Sequence, residues 1–480
     1  MINLSRRGFL AASAAAMSAA ALPRFARAES AMSLAAATRV LDVNGRAATV
    51  FGLSGQNGQG LVLDPGQRFR VDLTNRLDVP TLVHWHGQLP PNDQDGVPDM
   101  PRPMLKPGET RAYDFEPHPG TYWMHAHVPL QEMNLLAAPL IVRSADDVKA
   151  DRQEVVMFLH DFSFKPPEEV IDEIAGSSGA GHDMGAMGSA GSMGGMMMGG
   201  MKTGMSPMGG MAMDLNDYDW DAYLANDRTL SDPEVVQVER GGRTRLRIIN
   251  AASATVFWID TGALSASLVA VDGHAVRPVE GSRFGVAMGQ RLDLDLTFPG
   301  AGAWPILALR EGGRERTGLI LATPGASVAK LADIGDEEAS AFDTDQELAL
   351  QAVENLPERP VQTSRMLMLS GSMQPYQWTI DGRIWGDHRP VVARSGERVE
   401  ITFHNMSMMG HPMHLHGHVF QVVGINGARL NGARRDTVYV PPMNMVTVAV
   451  DAGETARWML HCHHMPHLQT GMMTEFVVSA

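Results

Sequence analysis

The chain contains the stretch Gly66-Gln67-Arg68-Phe69-Arg70-Val71-Asp72-Leu73-Thr74-Asn75, and nine positions after Asn75 it continues with His84-Trp85-His86-Gly87. Residues 396–405 repeat this stretch, with the same step to His414-Leu415-His416-Gly417. Alternating apolar and polar residues are typical of a half-buried strand, so each copy predicts a strand, a loop and a strand that presents two histidines on one face. A third copy, at 241–250, has no histidine after it. We therefore predict an all-β chain of three similar β-sandwiches, with metal ligands kept only in the first and the last.

The single cysteine stands near the C-terminus, in Leu460-His461-Cys462-His463-His464-Met465-Pro466-His467. A lone cysteine is usually a small buried apolar residue. Here, however, Cys462, His467 and Met472 follow one another at five-residue steps. They supply a thiolate, an imidazole and a thioether, the set that suits a blue-copper centre once a second histidine joins. If the segment is extended, the two histidines beside Cys462 point to the opposite face, so that one segment contacts two metal sites.

Three further histidine clusters support metal binding. They are His84-Trp85-His86-Gly87, His125-Ala126-His127 and His411-Pro412-Met413-His414-Leu415-His416-Gly417. The His-x-His spacing places both imidazoles on one face of a strand, a pattern that core packing does not require. Number and spacing together therefore favour metal ligation over a purely structural role.

These four stretches resemble the four copper-binding motifs of the multicopper oxidases. The family motifs read H-x-H-G, H-x-H, H-x-x-H-x-H-G and H-C-H-x-x-x-H-x-x-x-x-M, and all four occur here in that order. The resemblance implies four copper ions. For the type 1 copper it implies the ligands His411, Cys462, His467 and axial Met472. For the other three it implies His84 and His414 at the type 2 copper and His86, His125, His127, His416, His461 and His463 at the type 3 pair. Met473 competes with Met472 as the axial ligand, although strand alternation turns one of the two away.

The same resemblance implies an oxidase that takes single electrons from a small donor and uses four of them to reduce O2 to water. Cys462 would collect the electrons at the type 1 copper, and its covalent neighbours His461 and His463 would lead to the type 3 pair. The domains implied are cupredoxin domains, which are Greek-key β-sandwiches, at 35–145, 150–325 and 345–480. The two-histidine motifs of the first and third domains would share the three-copper cluster across their interface.

Two single residues carry further roles in the family. Asp95, nine residues after His86, is implied as an acid that assists proton delivery to oxygen; the alternative is a turn aspartate before a glycine. Met409, two residues before His411, is implied as the point of electron entry, and the alternative is a gap-filling methionine. Leu468 stands where some copper-efflux oxidases carry an acid, so that the sequence offers no second proton path at that position.

Residues 1–28 indicate export. Ser5-Arg6-Arg7-Gly8-Phe9-Leu10 resembles the twin-arginine signature, and Ala26-Arg27-Ala28 is an A-x-A cleavage site. The apolar run between them is too short to span a bilayer. We therefore predict a periplasmic protein, exported by the twin-arginine pathway and not inserted in the membrane, and we expect a monomer. The net charge of −15 argues against a nucleic-acid partner and attracts cations.

Residues 176–213 consist mainly of Gly, Ser and Met and predict a surface insertion in the second domain. A linker without a role is the alternative, but thioethers are oxidisable, and they are soft ligands that prefer Cu(I). The composition therefore favours Cu(I) capture by Met184, Met187, Met193, Met196, Met197, Met198, Met201, Met205, Met208, Met211 and Met213. The histidines outside the motifs are interpreted as structural or surface groups: His118, His160, His274, His388, His404, His418 and His464.

The electron donor is the open question at this level. The first hypothesis is Cu(I), with phenols or other metal ions as further donors, in a role in copper tolerance. A laccase-like phenol oxidase is the second hypothesis. A third is a periplasmic copper sink in which the methionine-rich segment binds copper and turnover is incidental.

Overall fold

The computed structural model describes residues 31–56, 58–177 and 215–480. The predicted export signal at 1–28 lies outside these residues. So does the methionine-rich segment from residue 178 onward.

The described residues form six β-sheets, two in each of three successive parts of the chain. In the first pair, the sheets have the orders β3-β2-β1-β5-β7 and β4-β9-β8-β6. Its strands are β1 (Met32–Val43), β2 (Arg46–Gly55), β3 (Gly58–Gln59), β4 (Leu61–Leu63), β5 (Phe69–Asn75), β6 (Val83–His84), β7 (Thr110–Phe115), β8 (Gly120–Ala126) and β9 (Ala137–Val142).

The second pair has the orders β11-β10-β13-β18-β15-β16 and β12-β20-β19-β14-β17. Its strands are β10 (Gln153–Phe162), β11 (Ala222–Ala225), β12 (Val235–Gln237), β13 (Arg243–Asn250), β14 (Phe257–Asp260), β15 (Ala266–Val271), β16 (His274–Gly281), β17 (Arg283–Val286), β18 (Arg291–Thr297), β19 (Ala303–Arg310) and β20 (Arg316–Ala322).

The third pair consists of a seven-stranded sheet, β22-β21-β24-β30-β26-β27 with β28 beside β26, and a five-stranded sheet, β23-β32-β31-β25-β29. Its strands are β21 (Thr363–Met373), β22 (Tyr376–Ile380), β23 (Val391–Arg394), β24 (Arg398–Asn405), β25 (His411–Leu415), β26 (Phe420–Ile425), β27 (Ala428–Arg429), β28 (Arg434–Arg435), β29 (Thr437–Val440), β30 (Met445–Asp451), β31 (Arg457–Cys462) and β32 (Met473–Ser479).

Helices are few and short. They are α1 (Pro129–Met133), α2 (Ala145–Lys149), α3 (Pro167–Ser177), α4 (Asp345–Ala349), α5 (Met465–Gln469) and a 3-10 turn at Asn92–Gln94. On α3, Val170 is buried while Glu168 and Glu169 are exposed, so these acidic side chains face solvent. None of the described helices is both long and apolar enough to cross a bilayer.

The sequence repeat corresponds to equivalent strands in the three pairs of sheets. β5, β13 and β24 each run parallel to the first strand of their pair, which is β1, β10 or β21. Each is also antiparallel to one later strand, which is β7, β18 or β30. The predicted fold class, an all-β chain built from repeated sandwiches, is confirmed. The predicted domain boundaries stay a prediction.

The asparagine that closes each repeat holds the loop that follows it. Asn75, Asn250 and Asn405 are fully buried. In each case the side-chain Oδ1 accepts a hydrogen bond from the backbone N–H two residues later, at 2.9, 3.0 and 2.9 Å. The Nδ2 donates to a carbonyl four or five residues later, at 2.9, 2.9 and 2.7 Å. A buried amide that satisfies several backbone groups holds the loop in one conformation, and this directs the chain into the next strand.

Candidate metal centres

The thiol of Cys462 lies between two imidazoles. Its Sγ is 3.7 Å from His411 Nδ1 and 3.7 Å from His467 Nδ1. β31 carries Cys462 beside β25, which begins at His411, and α5 carries His467. All three side chains are fully buried, and burial raises the pKa of the Cys462 thiol. A thiol in such surroundings ionises when a cation binds it, and the soft sulfur and nitrogen donors of this group fit copper.

Strand β31 ends at Cys462, so His463 and His464 are not part of the extended segment. The reason is Pro466 in the first turn of α5, because proline favours a helix start and cannot donate to a strand ladder. His463 lies just beyond the strand, and its backbone N–H donates to Pro412 O at 2.7 Å. The ring centroids of His461 and His463 are 5.6 Å apart.

Eight histidines of the first and third pairs of sheets come together in three buried groups. In each group the candidate ligand nitrogens lie within 4.8 Å of one another. The groups are His84 with His86 and His414, His86 with His125 and His463, and His127 with His416 and His461. In the three groups, one pair of ring nitrogens from two different histidines is 3.4, 3.3 and 3.1 Å apart, respectively. The six histidines that the family resemblance gives to the type 3 pair thus fall into two sets of three, a division that the motifs did not contain.

Burial keeps these imidazoles in the neutral form that binds metals. It lowers the pKa of His86, His125, His127, His411, His414, His416, His461, His463 and His467. Among the described residues, His127 Nε2 and His463 Nε2 are buried without a hydrogen-bond partner. An unsatisfied buried nitrogen costs about 1–3 kcal/mol. Neutral imidazoles with unused lone pairs fit a group of bound cations.

Asp95 lies against two of the three histidine groups. Its Oδ2 accepts from His416 Nδ1 at 2.8 Å, and its backbone carbonyl accepts from His84 Nδ1 at 2.8 Å. A hydrogen bond from Nδ1 leaves the Nε2 lone pair for a metal, so Asp95 sets the tautomer of both rings. The acid implied by the family motif is therefore in contact with the histidines, and its Oδ1 has no hydrogen-bond partner within the described part of the chain.

Asp436 orients two more histidines, and no local sequence pattern marks it. Its Oδ1 is 3.1 Å from His86 Nε2, and its backbone carbonyl is 2.9 Å from His414 Nδ1. Burial alone would raise the pKa of this carboxyl, but the Arg291 guanidinium, which donates to Oδ1 at 2.8 Å, holds the pKa well below its usual range. The carboxylate therefore stays ionised beside the histidines.

Glu132 is a third acid at the histidine groups, and the sequence did not indicate it either. Its Oε2 is 2.7 Å from His125 Nδ1, and its Oε1 is 3.8 Å from His463 Nδ1. Glu132 lies on α1, which packs against α5. Burial raises the pKa of its carboxyl well above the ordinary value. The sequence could have indicated Glu132 only through its position five residues after His127. That spacing by itself does not predict that the Glu132 carboxyl is buried beside the histidines.

The outer edge of His467 is covered by Asp217, two residues after Leu215, where the described chain resumes. Asp217 Oδ2 lies 3.4 Å from His467 Nε2, and the Tyr376 hydroxyl donates to the same oxygen. The Asp217 side chain is 0% exposed. Trp378 lies against the ring of His467, at 4.1 Å between centroids. His464, interpreted from the sequence as structural or surface, is buried and stacks on His467 at 3.7 Å.

The methionines near Cys462 differ in burial. Met472 is fully buried in the apolar cluster that contains Cys462, whereas Met473 is partly exposed. Met409 belongs to the same cluster and is 4% exposed, while Met406 and Met408 are 51% and 38% exposed. Burial thus favours Met472 over Met473 as the axial ligand.

A hydroxyl that the sequence did not indicate also contacts a candidate ligand: Ser407 Oγ is 2.9 Å from His411 Nε2. The methionines proposed for Cu(I) capture, from Met184 to Met213, all lie outside the described residues.

The chain is similar to known proteins over most of its length. Models of the multicopper oxidase family match residues 37–147, 154–323 and 358–480. The chain is 32% identical to the multicopper oxidase MmcO of Mycobacterium tuberculosis over 85% of this chain and 79% of that protein. It is 25% identical to copper resistance protein A of Escherichia coli over 85% of this chain and 86% of that protein. The crystal structure of a laccase from Botrytis aclada superposes with a TM-score of 0.73 at 20% identity, over 93% of this chain and 87% of that one.

Proposed function

The chain belongs to the multicopper oxidase family, whose members are oxidoreductases that use O2, and from that premise we propose that it oxidises Cu(I) in the periplasm and so contributes to copper tolerance. Its similarity to a copper resistance protein supports the role in tolerance. The observation that carries the choice of donor is the cover over His467, which leaves that ring no exposed edge.

We assign the proposed copper ligands as follows. His411, Cys462, His467 and Met472 would hold a type 1 copper, and His84 and His414 a type 2 copper. The two sets of three, His86 with His125 and His463, and His127 with His416 and His461, would each hold one type 3 copper. When bound, these four ions supply storage for four electrons and their transfer to O2, which becomes water.

The protein's own residues orient the ligands and connect the groups. Contacts with Asp95 and Asp436 favour one tautomer of each partner imidazole, and Glu132 lies against the ring of His125. Cys462 is joined by peptide bonds to His461 and His463, which lie in different groups, so the thiol group is linked covalently to both sets of three. Burial of all these side chains excludes bulk water from the reduction of O2.

The surroundings of His467 favour a small cation over a phenol as donor. A phenol that donates an electron through this ring has to approach its outer edge, and Asp217, Tyr376 and Trp378 fill that space. A cation can be held by thioethers at the surface, where Met406 and Met408 stand on either side of Ser407. We propose Met409, which is buried and lies two residues before His411 in the chain, as the residue through which electrons enter.

Steady-state O2 consumption by the copper-loaded protein tests this proposal, with Cu(I), Fe(II) and a phenol measured side by side. We expect the highest kcat/KM with Cu(I). Tyr376→Ala should open the edge of His467 and raise kcat/KM for the phenol while changing the Cu(I) value less. A wild-type protein that prefers the phenol would instead favour the laccase-like alternative, which the laccase-like fold supports. Copper binding without O2 consumption would favour the copper sink.

Export and assembly complete the proposal. The twin-arginine signature at residues 5–10 supports delivery of the folded protein to the periplasm, and we propose that the mature protein is a monomer. Fractionation of cells with Arg6→Lys and Arg7→Lys changes should then find the protein retained in the cytoplasm, and sedimentation of the mature protein should give the mass of one chain. Normal export of that double variant would rule out the twin-arginine route.

A further inference from the structure

Three side chains form a row across the outer face of the seven-stranded sheet. Met368 of β21 is directly opposite His404 of β24, and His404 is directly opposite Met445 of β30. Side chains at such positions are about 5 Å apart at Cβ. In the next row, the hydroxyls of Thr402 and Thr447 are 2.9 Å apart, so side chains on this face of β24 and β30 do touch.

The row faces outward, and each of its three residues is at least partly exposed. Met368 is 42% exposed, and His404 and Met445 are half-buried. The strand neighbours Leu367 and Phe403 point inward and are buried. Within residues 31–56, 58–177 and 215–480, no side chain or backbone group forms a hydrogen bond with the His404 imidazole. The two thioethers and the imidazole are therefore available to a ligand.

Exposed methionines are concentrated around this row. Among the described residues, the methionines with more than about a third of their surface exposed are Met366, Met368, Met406, Met408, Met443 and, in the first pair of sheets, Met104. Backbone hydrogen bonds hold two of them at the end of β24: Met406 N donates to Leu369 O at 2.9 Å, and Asn405 N donates to the carbonyl of Asn444, next to Met443, at 2.9 Å. Exposed thioethers are open to oxidation and contribute little to a core, so this region is rich in accessible soft donors.

Charge and chemistry identify that ligand as Cu(I). We propose that Met368, His404 and Met445 bind one Cu(I) ion at a surface site separate from the four proposed copper sites. Thioethers select Cu(I) among first-row ions, and an imidazole completes a three-coordinate set. The Asp381 carboxylate accepts from Met368 N at 2.8 Å and places negative charge beside the row. The chain's net charge of −15 also attracts cations. The site concerns binding alone and is independent of whether Cu(I) or a phenol is the electron donor.

The site can be tested with Ag(I), a soft monovalent cation that does not undergo redox cycling. The copper-loaded protein is treated with hydrogen peroxide at increasing Ag(I), and oxidation of each methionine is measured by mass spectrometry of peptides. A thioether whose lone pair is bound to Ag(I) is protected, so at free Ag(I) about ten times the Kd the oxidation of Met368 and Met445 should fall about tenfold. Met366, on the same strand face but opposite Thr402, and Met443 are internal controls that should stay reactive.

Two variants complete the test. His404→Gln should weaken the protection of Met368 and Met445 together, because both depend on the shared ion. Met366→Leu, one row away on β21, should leave that protection unchanged. Protection of Met366 to the same extent as Met368 would show general binding to exposed thioethers and would overturn the proposal. So would protection that persists in His404→Gln, or no protection of Met368 at any Ag(I) concentration.

Discussion

At the scale of single residues, Cys462 is both a buried thiol and a covalent link between two histidine groups. Its thiol is fully buried and its pKa is raised by that burial, so it ionises when a cation binds. Its two neighbours in the chain belong to different histidine groups. A change at this one side chain should therefore remove one proposed copper site and leave the other three.

Cys462→Ser should abolish the intense blue absorption of the copper-loaded protein and lower its copper content from the proposed four ions to about three, because a hydroxyl cannot replace the thiolate ligand. Visible absorption and metal analysis measure the two effects. Met413→Leu is the matched control, since Met413 pairs with Cys462 across β25 and β31 and the change conserves volume. An unchanged spectrum in Cys462→Ser would rule out the type 1 assignment.

Asp95→Asn should slow the reoxidation of fully reduced enzyme by O2 while the blue absorption stays, because Asp95 contacts His416 and His84 and none of the thiol group. Loss of an acid at that position should cost about 10²-fold, the lower end for general acid catalysis. Stopped-flow reoxidation is the measurement. Asp93→Asn is the control, since Asp93 is a half-exposed acid of the same turn, paired with Arg102. Equal reoxidation rates in Asp95→Asn and wild type would show that Asp95 is only a structural residue of the turn.

At the scale of elements, two short helices carry side chains of the candidate metal centres that no strand supplies. α5 carries His467, and its next residue, Leu468, supplies no acid. α1 packs against α5 and brings the Glu132 carboxyl to His125. α3 ends at Ser177, and the described chain resumes at Leu215, where Asn216 Nδ2 donates to Glu311 O at 2.9 Å. The described residues on either side of residues 178–214 thus make contacts of their own, and we expect a deletion between them to leave those contacts in place.

Deletion of residues 184–213 should lower activity with Cu(I) at low concentration and spare or raise activity with a phenol, because the thioethers would concentrate Cu(I). Copper content should not change. Steady-state kinetics with both donors measures the effect. A control that keeps the length, with all eleven methionines replaced by serine, separates ligand chemistry from steric cover. Equal loss of both activities on deletion would show a folding role, and unchanged Cu(I) kinetics would show a passive linker.

At the scale of the whole molecule, one buried arginine joins all three pairs of sheets. Arg291 begins β18 of the second pair. It donates to Asp436 of the third pair at 2.8 Å and to Thr121 O of the first at 3.2 Å. Because Asp436 also contacts His86, the ion pair supports the place where the first and third pairs share their histidine groups.

Arg291→Met should destabilise the protein by about 3–5 kcal/mol, since it leaves Asp436 as an uncompensated buried charge. Arg283→Met is the control, because the Arg283–Asp260 pair is 48% and 30% exposed and such pairs contribute about 0–1 kcal/mol. Urea unfolding of the copper-free proteins compares the two midpoints. A midpoint for Arg291→Met no lower than for the control would show that the buried pair does not hold the sheets together.

The sequence by itself determined the repeat, the all-β fold class and the family, because all three depend on local spacing. Alternation of side chains along a strand makes the Gly-to-Asn stretch and the His-x-His motifs readable without a structure. The donor atoms of Cys462, His467 and Met472, which are a thiolate, an imidazole and a thioether, likewise follow directly from the residue types.

Only the tertiary structure decided which of those residues meet and what surrounds them. The division of six histidines into two sets, and the contacts of Asp436 and Asp217, depend on packing between segments hundreds of residues apart. Glu132 is only seven residues from His125 in the chain, and the turn into α1 brings its carboxyl to that ring. The row of Met368, His404 and Met445 depends on strand register, which no single strand encodes. Local spacing defines the face on which a side chain lies, whereas the packing of sheets decides which side chains share a site.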